Sequence, residues 1–237
     1  MLAPKREPHY TVGMGTKINM NYDYEKLKTA MRYWLLGQEY YMAYKAMEMG
    51  LLHHNGSRKD GTPEFSHQIF QASFARTLLP SIIYPEETLA TIFLHDIVED
   101  CDVEIDTINS EFGAWVAEGV ELMTNVDFVP HSHIKQPVDG YLPEHMNIVK
   151  KDPAVYYMSM IEDPIASLAK GIDRMHNHQS MTGVFSNEKK RSYIDETKTY
   201  ILPILKGARK KWPAQDAAYH NIKHVLLTQI ELIELTL

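Results

Sequence analysis

The chain has 237 residues, 44% hydrophobic and 23% charged, the proportions of a globular protein with ample core. Its formal net charge of −7 excludes broad electrostatic attraction to nucleic acid or anionic membrane, so an anionic ligand must be gathered by a few local cations or a metal. The single cysteine, Cys101, excludes an intramolecular disulfide and fits a reducing compartment; with no apolar stretch near membrane-span length and no signal-peptide core, a cytoplasmic location is expected.

Residues 1–20 carry two prolines, two glycines and no periodicity, and are read as an extended arm before a single helical domain over residues 21–237. From Asp23 the pattern turns helical: Leu27, Met31, Trp34, Leu35 and Gln38 recur at spacings of three and four. Tyr40 to Leu52 continues in kind after Gly37, as a second helix or as the far half of a kinked one. His53-His54-Asn55-Gly56 breaks the run. Adjacent residues at a helix end point in different directions, so this histidine pair is read as surface or dipole-facing rather than as a metal handle. In the turn Ser57-Arg58-Lys59-Asp60-Gly61-Thr62-Pro63, the two cations taken alone are a solvated pair. A helix then starts near Ser66 or His67 and carries Ile69, Phe70, Ser73, Phe74 and Leu78 to a stop at Pro80. The positive end of the helix dipole disfavours a charged His67 and prefers the neutral imidazole that a metal needs.

The central stretch runs from Pro85-Glu86-Glu87, a helix-start signal, through an apolar run at Leu89–Leu94 into His95-Asp96 and then Glu99-Asp100. On one continuous helix, His95 would lie above Glu99 and Asp96 above Asp100. His-Asp alone is compatible with a solvated helix terminus. Four ionisable groups after an apolar run favour a site, because clustered carboxylates at a half-buried helix end need a positive partner such as a divalent metal. Val103–Phe112 and Gly113–Val126 read as two further helices, the second turning Val116, Val120 and Met123 inward. Residues 127–153 hold four prolines, three histidines and little period, and are expected to form a mobile loop or lid, with His131 and His133 as weak metal candidates. A helix over Pro164–Met181 buries Ile165, Leu168, Ile172 and Met175, with Asp173 beside that face and Asn177 one turn on. Asn187–Lys206 and Ala214–Leu235 complete the chain as amphipathic helices separated by Trp212-Pro213. With no strand-period segment, internal repeat or linker, the fold is expected to be all-α, a single helical bundle.

Three motifs, Arg58-Lys59-Asp60-Gly61-Thr62-Pro63 with His67, His95-Asp96-x-x-Glu99-Asp100, and Asp173-Arg174-x-His176-Asn177, come in an order that resembles the hydrolase domain of the RelA/SpoT alarmone enzymes. Those are HD-domain metal-dependent phosphohydrolases with the patterns R-K-x-G-x-P-Y-x-x-H, L-L-H-D-x-x-E-D and D-R-x-H-N. Phe112-Gly113 through Val120 is similar to the stretch that follows the catalytic helix in that family, and the likeness covers residues 40–210. It implies a metal, usually Mn²⁺, held by His67, His95, Asp96 and Asp173, and a water activated by Glu99 and Asp100. It further implies a nucleotide bound by Arg58 and Lys59, with Asn177 over its ribose and Ser180 on its wall.

The chain also departs from the pattern. Glu64 replaces Tyr, Gln68 replaces the Pro common after the first histidine, Gln179 stands where Arg is frequent, and residues 127–153 are longer than expected. These changes fall on the substrate rather than on the metal or water-activating positions. At 237 residues the chain resembles a stand-alone small alarmone hydrolase. The expected reaction is hydrolysis of the 3′-pyrophosphate of (p)ppGpp to GDP or GTP and pyrophosphate. The alternatives are an HD phosphatase of another nucleotide, such as NADPH, ppApp or a deoxynucleotide, and a catalytically silent nucleotide sensor. A small nucleotide is the expected partner, with neither nucleic acid nor membrane, and the oligomeric state is not legible.

Overall fold

The structure, a computed structural model, describes residues 20–101, 103–130, 146–181 and 183–237. The expected N-terminal arm lies outside these apart from Met20, which opens the first helix. Helices α1 (Met20–Gly37) and α2 (Tyr41–His53) are separate. Glu39 between them adopts a left-handed φ of 60°, and Tyr40 N–H bonds back to the Leu35 carbonyl at 2.9 Å. The start of α2 has no capping side chain of its own. Glu86, in the first turn of α4 (Pro85–Leu94), supplies one from across the core: its Oε1 accepts Met42 N–H at 2.7 Å and Ala43 N–H at 3.3 Å.

Every residue of α4 from Thr88 to Leu94 is buried, as an apolar run with no polar stripe requires. The helix packs against α2, α3 (Ser66–Leu78), α7 (Ala114–Met123) and α9 (Pro164–Ser180). Two close approaches need glycine. A Cβ at Gly50 of α2 would meet the Phe65 ring and the Phe93 carbonyl, the latter at 2.8 Å, and one at Gly119 of α7 would meet Thr91 Oγ1 at 2.8 Å. α9 is the other buried axis. It begins with Pro164 after Asp163, whose carboxylate accepts Ala166 N–H at 2.5 Å, and buries Ile165, Leu168, Ile172 and Met175 as expected.

The remaining elements are α5 (Ile97–Asp100), α6 (Ile105–Phe112), α8 (Pro153–Ser159), α10 (Asn187–Glu196), α11 (Leu202–Lys211) and α12 (Asp216–Glu234). Gly113, at φ 83°, turns the chain between α6 and α7. A π-turn at Thr197–Ile201 joins α10 to α11 immediately before Pro203, whose ring cannot donate to the preceding turn. Among the described residues no helix is long and apolar enough to cross a membrane.

Four expectations need correction. The central helix is not continuous: α4 ends at Leu94 and α5 begins at Ile97, because the His95 ring takes the Ile92 carbonyl at 2.9 Å, the acceptor that Asp96 N–H would use. The fold is all-α as expected, but among the described residues it carries one antiparallel pair of strands where none was expected, β1 (Val126–Pro130) and β2 (Met146–Lys150), in the register Val126↔Lys150 to Pro130↔Met146. Five-residue strands interrupted by Asp127, Pro130 and Asn147 are too short to show a period of two. The ends of the stretch 127–153 are therefore ordered by this ladder and by α8, which Asp152 caps through Ala154 and Val155 N–H. Residues 131–145, with His131 and His133, lie outside the described residues. Finally, His54 is not at the surface: it is 3% exposed and its ring stacks on Phe65.

The end of α9 carries a pH-sensitive contact unrelated to any site. Thr197 Oγ1 donates to the Tyr193 carbonyl at 2.7 Å, so it accepts from His178 Nε2–H at 2.9 Å, while His178 Nδ1 has no partner. Burial, then the Arg174 guanidinium, pushes His178 down to about 4. An unfolded histidine titrates near 6.5, so this contribution is complete above that pH and is lost as pH falls through 6.5 towards 4. The loss is on the order of 3 kcal/mol. A His178→Gln variant, whose amide can still donate to Thr197, should lose less stability than the parent between pH 7 and 4.5 in urea unfolding. Parallel stability–pH curves for the two proteins would refute this.

Candidate active site

Three segments converge beneath one cleft. α3 brings His67 near its start, the break between α4 and α5 brings His95 and Asp96, and the middle of α9 brings Asp173. His67 Nε2 lies 3.0 Å from Asp173 Oδ1, and His95 Nε2 lies 3.0 Å from Asp96 Oδ2 and 3.8 Å from Asp173 Oδ1. His67, His95 and Asp173 are 3–5% exposed. Asp96 is half-buried.

Hydrogen-bond partners fix which ring nitrogens are bare. His95 Nδ1–H donates to the Ile92 carbonyl, leaving Nε2 without a hydrogen-bond partner in a buried position. Gln71, one turn beyond His67, sets its amide nitrogen 2.5 Å from His67 Nε2, so that nitrogen is the acceptor. His67 Nδ1–H then donates to His176 Nδ1 at 2.7 Å, and the proton of the His176 ring sits on Nε2. The neutral state of His176 follows: burial, then His67 and Arg58, hold it down to about 3. Two unprotonated imidazole nitrogens, that of His67 accepting from the Gln71 amide, thus face two carboxylates, an arrangement that a divalent cation stabilises. Without one the cluster attracts protons. Burial opposes charge on His95, yet Asp96 and Asp173 push it up to about 9, and burial of Asp96 is outweighed by His95, which holds it at about 2. The donor set fits a metal, and His67, His95 and Asp96 lie within reach of one ion.

Outer contacts hold these groups in place. Asp173 accepts from Asn177 Nδ2 at 2.9 Å and Gln71 Nε2 at 3.3 Å, and its Oδ2 pairs with Lys170 Nζ at 3.2 Å. Gln68 Nε2 donates to Asp96 Oδ2 at 3.4 Å. Burial opposes the negative charge of Asp173, but Lys170 and His67 keep its carboxyl well below the usual range.

Glu99 is half-buried, with Oε1 accepting Asn125 N–H, and burial raises its carboxyl despite that bond. Asp100 stands at the open edge. Its desolvating surroundings, then Asp96, Glu99 and Glu64, push it up to about 6. A cavity of about 540 Å³ adjoins the cluster through His176 and is lined by Arg58, Phe70, Gln179 and Ser180, with Asp60, Thr62, Ser66 and Val184 completing the wall. Its rim is the turn before α3. There Arg58 N–H bonds the Thr62 carbonyl, Gly61 takes a φ of 81°, and Asp60 accepts from Thr62 N–H and Oγ1.

Ten residues were expected at the site. His67, His95, Asp96, Asp173 and Asn177 come together; Glu99 and Asp100 sit beside them, and Arg58 and Ser180 line the cavity. Lys59 is exposed and does not line it. Sequence reasoning gave no role to Gln71, Lys170 or His176. Gln71 and Lys170 were marked only by helical spacing, four residues after His67 and three before Asp173.

The HD domain family profile matches residues 46–200, which takes in all three motifs. The chain belongs to the HD domain family. This HD domain is similar to a probable guanosine-3′,5′-bis(diphosphate) 3′-pyrophosphohydrolase of Synechocystis sp., 29% identical over 178 residues that cover 73% of this chain and 21% of that protein. It is 28% identical over 171 residues to the guanosine-3′,5′-bis(diphosphate) 3′-pyrophosphohydrolase of Vibrio cholerae, covering 72% of this chain and 21% of that one. With the bifunctional (p)ppGpp synthase/hydrolase SpoT of Escherichia coli it shares 27% identity over 152 residues, 64% of this chain and 19% of the other. The chain thus spans about a fifth of the length of these relatives. Among solved structures it resembles in fold a metazoan ortholog of SpoT, described as hydrolysing ppGpp. The TM-score is 0.53 and the identity 20%, over 76% of this chain and 93% of that one.

Proposed function

We propose that this HD domain hydrolyses the 3′-pyrophosphate of (p)ppGpp in the cytoplasm, with one divalent cation, Mn²⁺, held by His67, His95, Asp96 and Asp173. The observation that carries the reading is the convergence of unprotonated imidazole nitrogens and carboxylates beside a cavity rimmed by Arg58. The named activities of the relatives support the choice of substrate.

When bound, the cation supplies Lewis acidity and lowers the pKa of water within its reach. The chain's own groups do the rest. Water attacks the phosphorus attached to the ribose 3′-oxygen, the P–O3′ bond breaks, and the 3′-oxygen leaves as a hydroxyl with pyrophosphate as the other product. Glu99 and Asp100 receive the proton of the attacking water. A carboxyl raised to about 6, as at Asp100, can hold or return a proton near neutral pH. Arg58 offers a planar guanidinium for stacking and phosphate pairing, and His176 Nε2–H offers a neutral donor at the cavity wall. Asn177 is fixed by Asp173, and Ser180 gives the wall a hydroxyl.

A second reading, a phosphatase of another nucleotide, is favoured by the wall itself. Asp60 and Gln179 line it, whereas Lys59 does not, so it holds fewer cations than the motif implied. A product assay with Mn²⁺ over ppGpp, GDP, GTP, NADPH, ppApp and deoxynucleotides decides between them. Pyrophosphate should appear from ppGpp while GDP and GTP stay intact, since ppGpp and GDP differ only in the 3′ group. Single phosphates released from NADPH or a deoxynucleotide, with ppGpp untouched, would transfer the assignment to the second reading. In the same assay Arg58→Ala should weaken ppGpp use by roughly 1–3 kcal/mol if the base stacks on it.

A further inference from the structure

Beside the first cluster, on the far side of Asp100, lies a second set of ligand-type atoms. His54 follows α2 and is 3% exposed, and neither of its ring nitrogens has an oxygen or nitrogen hydrogen-bond partner. Nε2 has no partner at all, and Nδ1 meets only the Cys101 sulfur at 3.8 Å and Glu64 Oε1 at 3.9 Å. Burying an imidazole with Nε2 unsatisfied and Nδ1 held only by a weak contact to sulfur is costly. The Glu64 carboxylate is aimed rather than loose: its Oε2 accepts Gly56 N–H at 3.1 Å, which leaves Oε1 towards His54. Asp100 completes the group, with one ligand atom from each of the three residues within 4.8 Å of the others.

The 3.9 Å separation is too long for a hydrogen bond. It does suit two ligands of one ion, since bonds of about 2.1 Å place two ligand atoms roughly 3.0 Å apart at a right angle and 4.2 Å when opposed. Burial lowers His54 and keeps the imidazole neutral, the form that ligates. Burial and the neighbouring carboxylates push the Cys101 thiol up to about 11, so it stays protonated and the donor set is one nitrogen with two carboxylates. That set suits Mn²⁺ or Zn²⁺.

We propose that His54, Glu64 and Asp100 form a second divalent-cation site, on the opposite side of the α5 acids from the His67–His95–Asp96–Asp173 cluster. Glu64 is the residue that departs from the aromatic position of the resembled motif, and it adds a carboxylate that the motif lacks. A cation there lies against the carboxylates on which water activation depends, and couples the occupancy of the second site to the first reaction.

The test counts ions. Metal-depleted protein is dialysed against Mn²⁺, bound metal is measured per chain, and electron paramagnetic resonance reports whether two Mn²⁺ ions are coupled. The parent should hold two ions, Glu64→Gln one and Asp173→Ala one. Glu64→Gln keeps an oxygen for Gly56 N–H, so its melting temperature should stay near the parent's, and His54→Gln serves as a second, more buried probe. A parent with a single ion that Glu64→Gln leaves in place overturns the proposal, as does a second ion that persists in Glu64→Gln. Loss of one ion in Glu64→Gln with none lost in Asp173→Ala would support this site and remove the metal assignment of the first cluster instead.

Discussion

Asp173→Ala protein should fail to retain the cation of the first cluster and lose turnover by well over a hundredfold. Losses of 10–100-fold are typical when only an outer partner of a metal ligand is removed, and Asp173 is proposed as a ligand itself. Its Oδ1 faces His67 at 3.0 Å and His95 at 3.8 Å, so truncation opens the side of the cluster supplied by α9. Two effects must be separated. Lys170 is buried against Asp173 Oδ2, and removing the carboxylate leaves that ammonium uncompensated, a destabilisation of roughly 3–5 kcal/mol. Asp173→Asn keeps an oxygen for Asn177 Nδ2 and Gln71 Nε2 and removes only the charge. Both variants should therefore lose that cation and activity, with Asp173→Asn the closer to parental helicity and melting temperature. Full activity surviving exhaustive chelation of the parent protein would sink the metal assignment altogether.

Much of this candidate site was legible because its residues sit in short motifs that resemble those of a known family. His67, His95-Asp96 and Asp173 could be named before any coordinates, and α3 and α9 formed where the apolar spacing placed them. What failed did so for local physical reasons. The expected stacking of His95 over Glu99 assumed an unbroken helix, and no periodicity reveals that the His95 ring captures the Ile92 carbonyl. His54 reads as surface or dipole-facing because adjacent helix-end residues point in different directions. Its burial depends on Phe65, eleven positions later, arriving to stack on it. Lys59 was placed with Arg58 by the family resemblance, whereas the pair taken alone reads as solvated, and Lys59 is exposed and outside the cavity lining. Gln71 and His176, which set the tautomer of His67, look like ordinary polar helix residues until the fold brings them to within hydrogen-bonding distance of one ring.

Glu99→Gln should bind metal and nucleotide nearly as the parent does, yet turn over at least about a hundredfold more slowly. The substitution is conservative where the fold needs it. Glu99 Oε1 accepts Asn125 N–H, which ties α5 to the start of β1, and a glutamine oxygen can take the same bond. What glutamine cannot do is accept the proton of an attacking water. Glu99 is half-buried near Asp96 with Lys170 opposing, an environment that raises its carboxyl and so strengthens it as a base. Asp100→Asn should behave similarly in rate, but it also removes a proposed ligand of the second cation site, so its metal count should fall by one while that of Glu99→Gln does not. Single-turnover rates at saturating ppGpp, with bound metal measured on the same samples, separate the two roles. Near-parental turnover in both variants would mean that the proton goes elsewhere, and His176, whose ring reaches both His67 and the cavity wall, would be the next residue to replace.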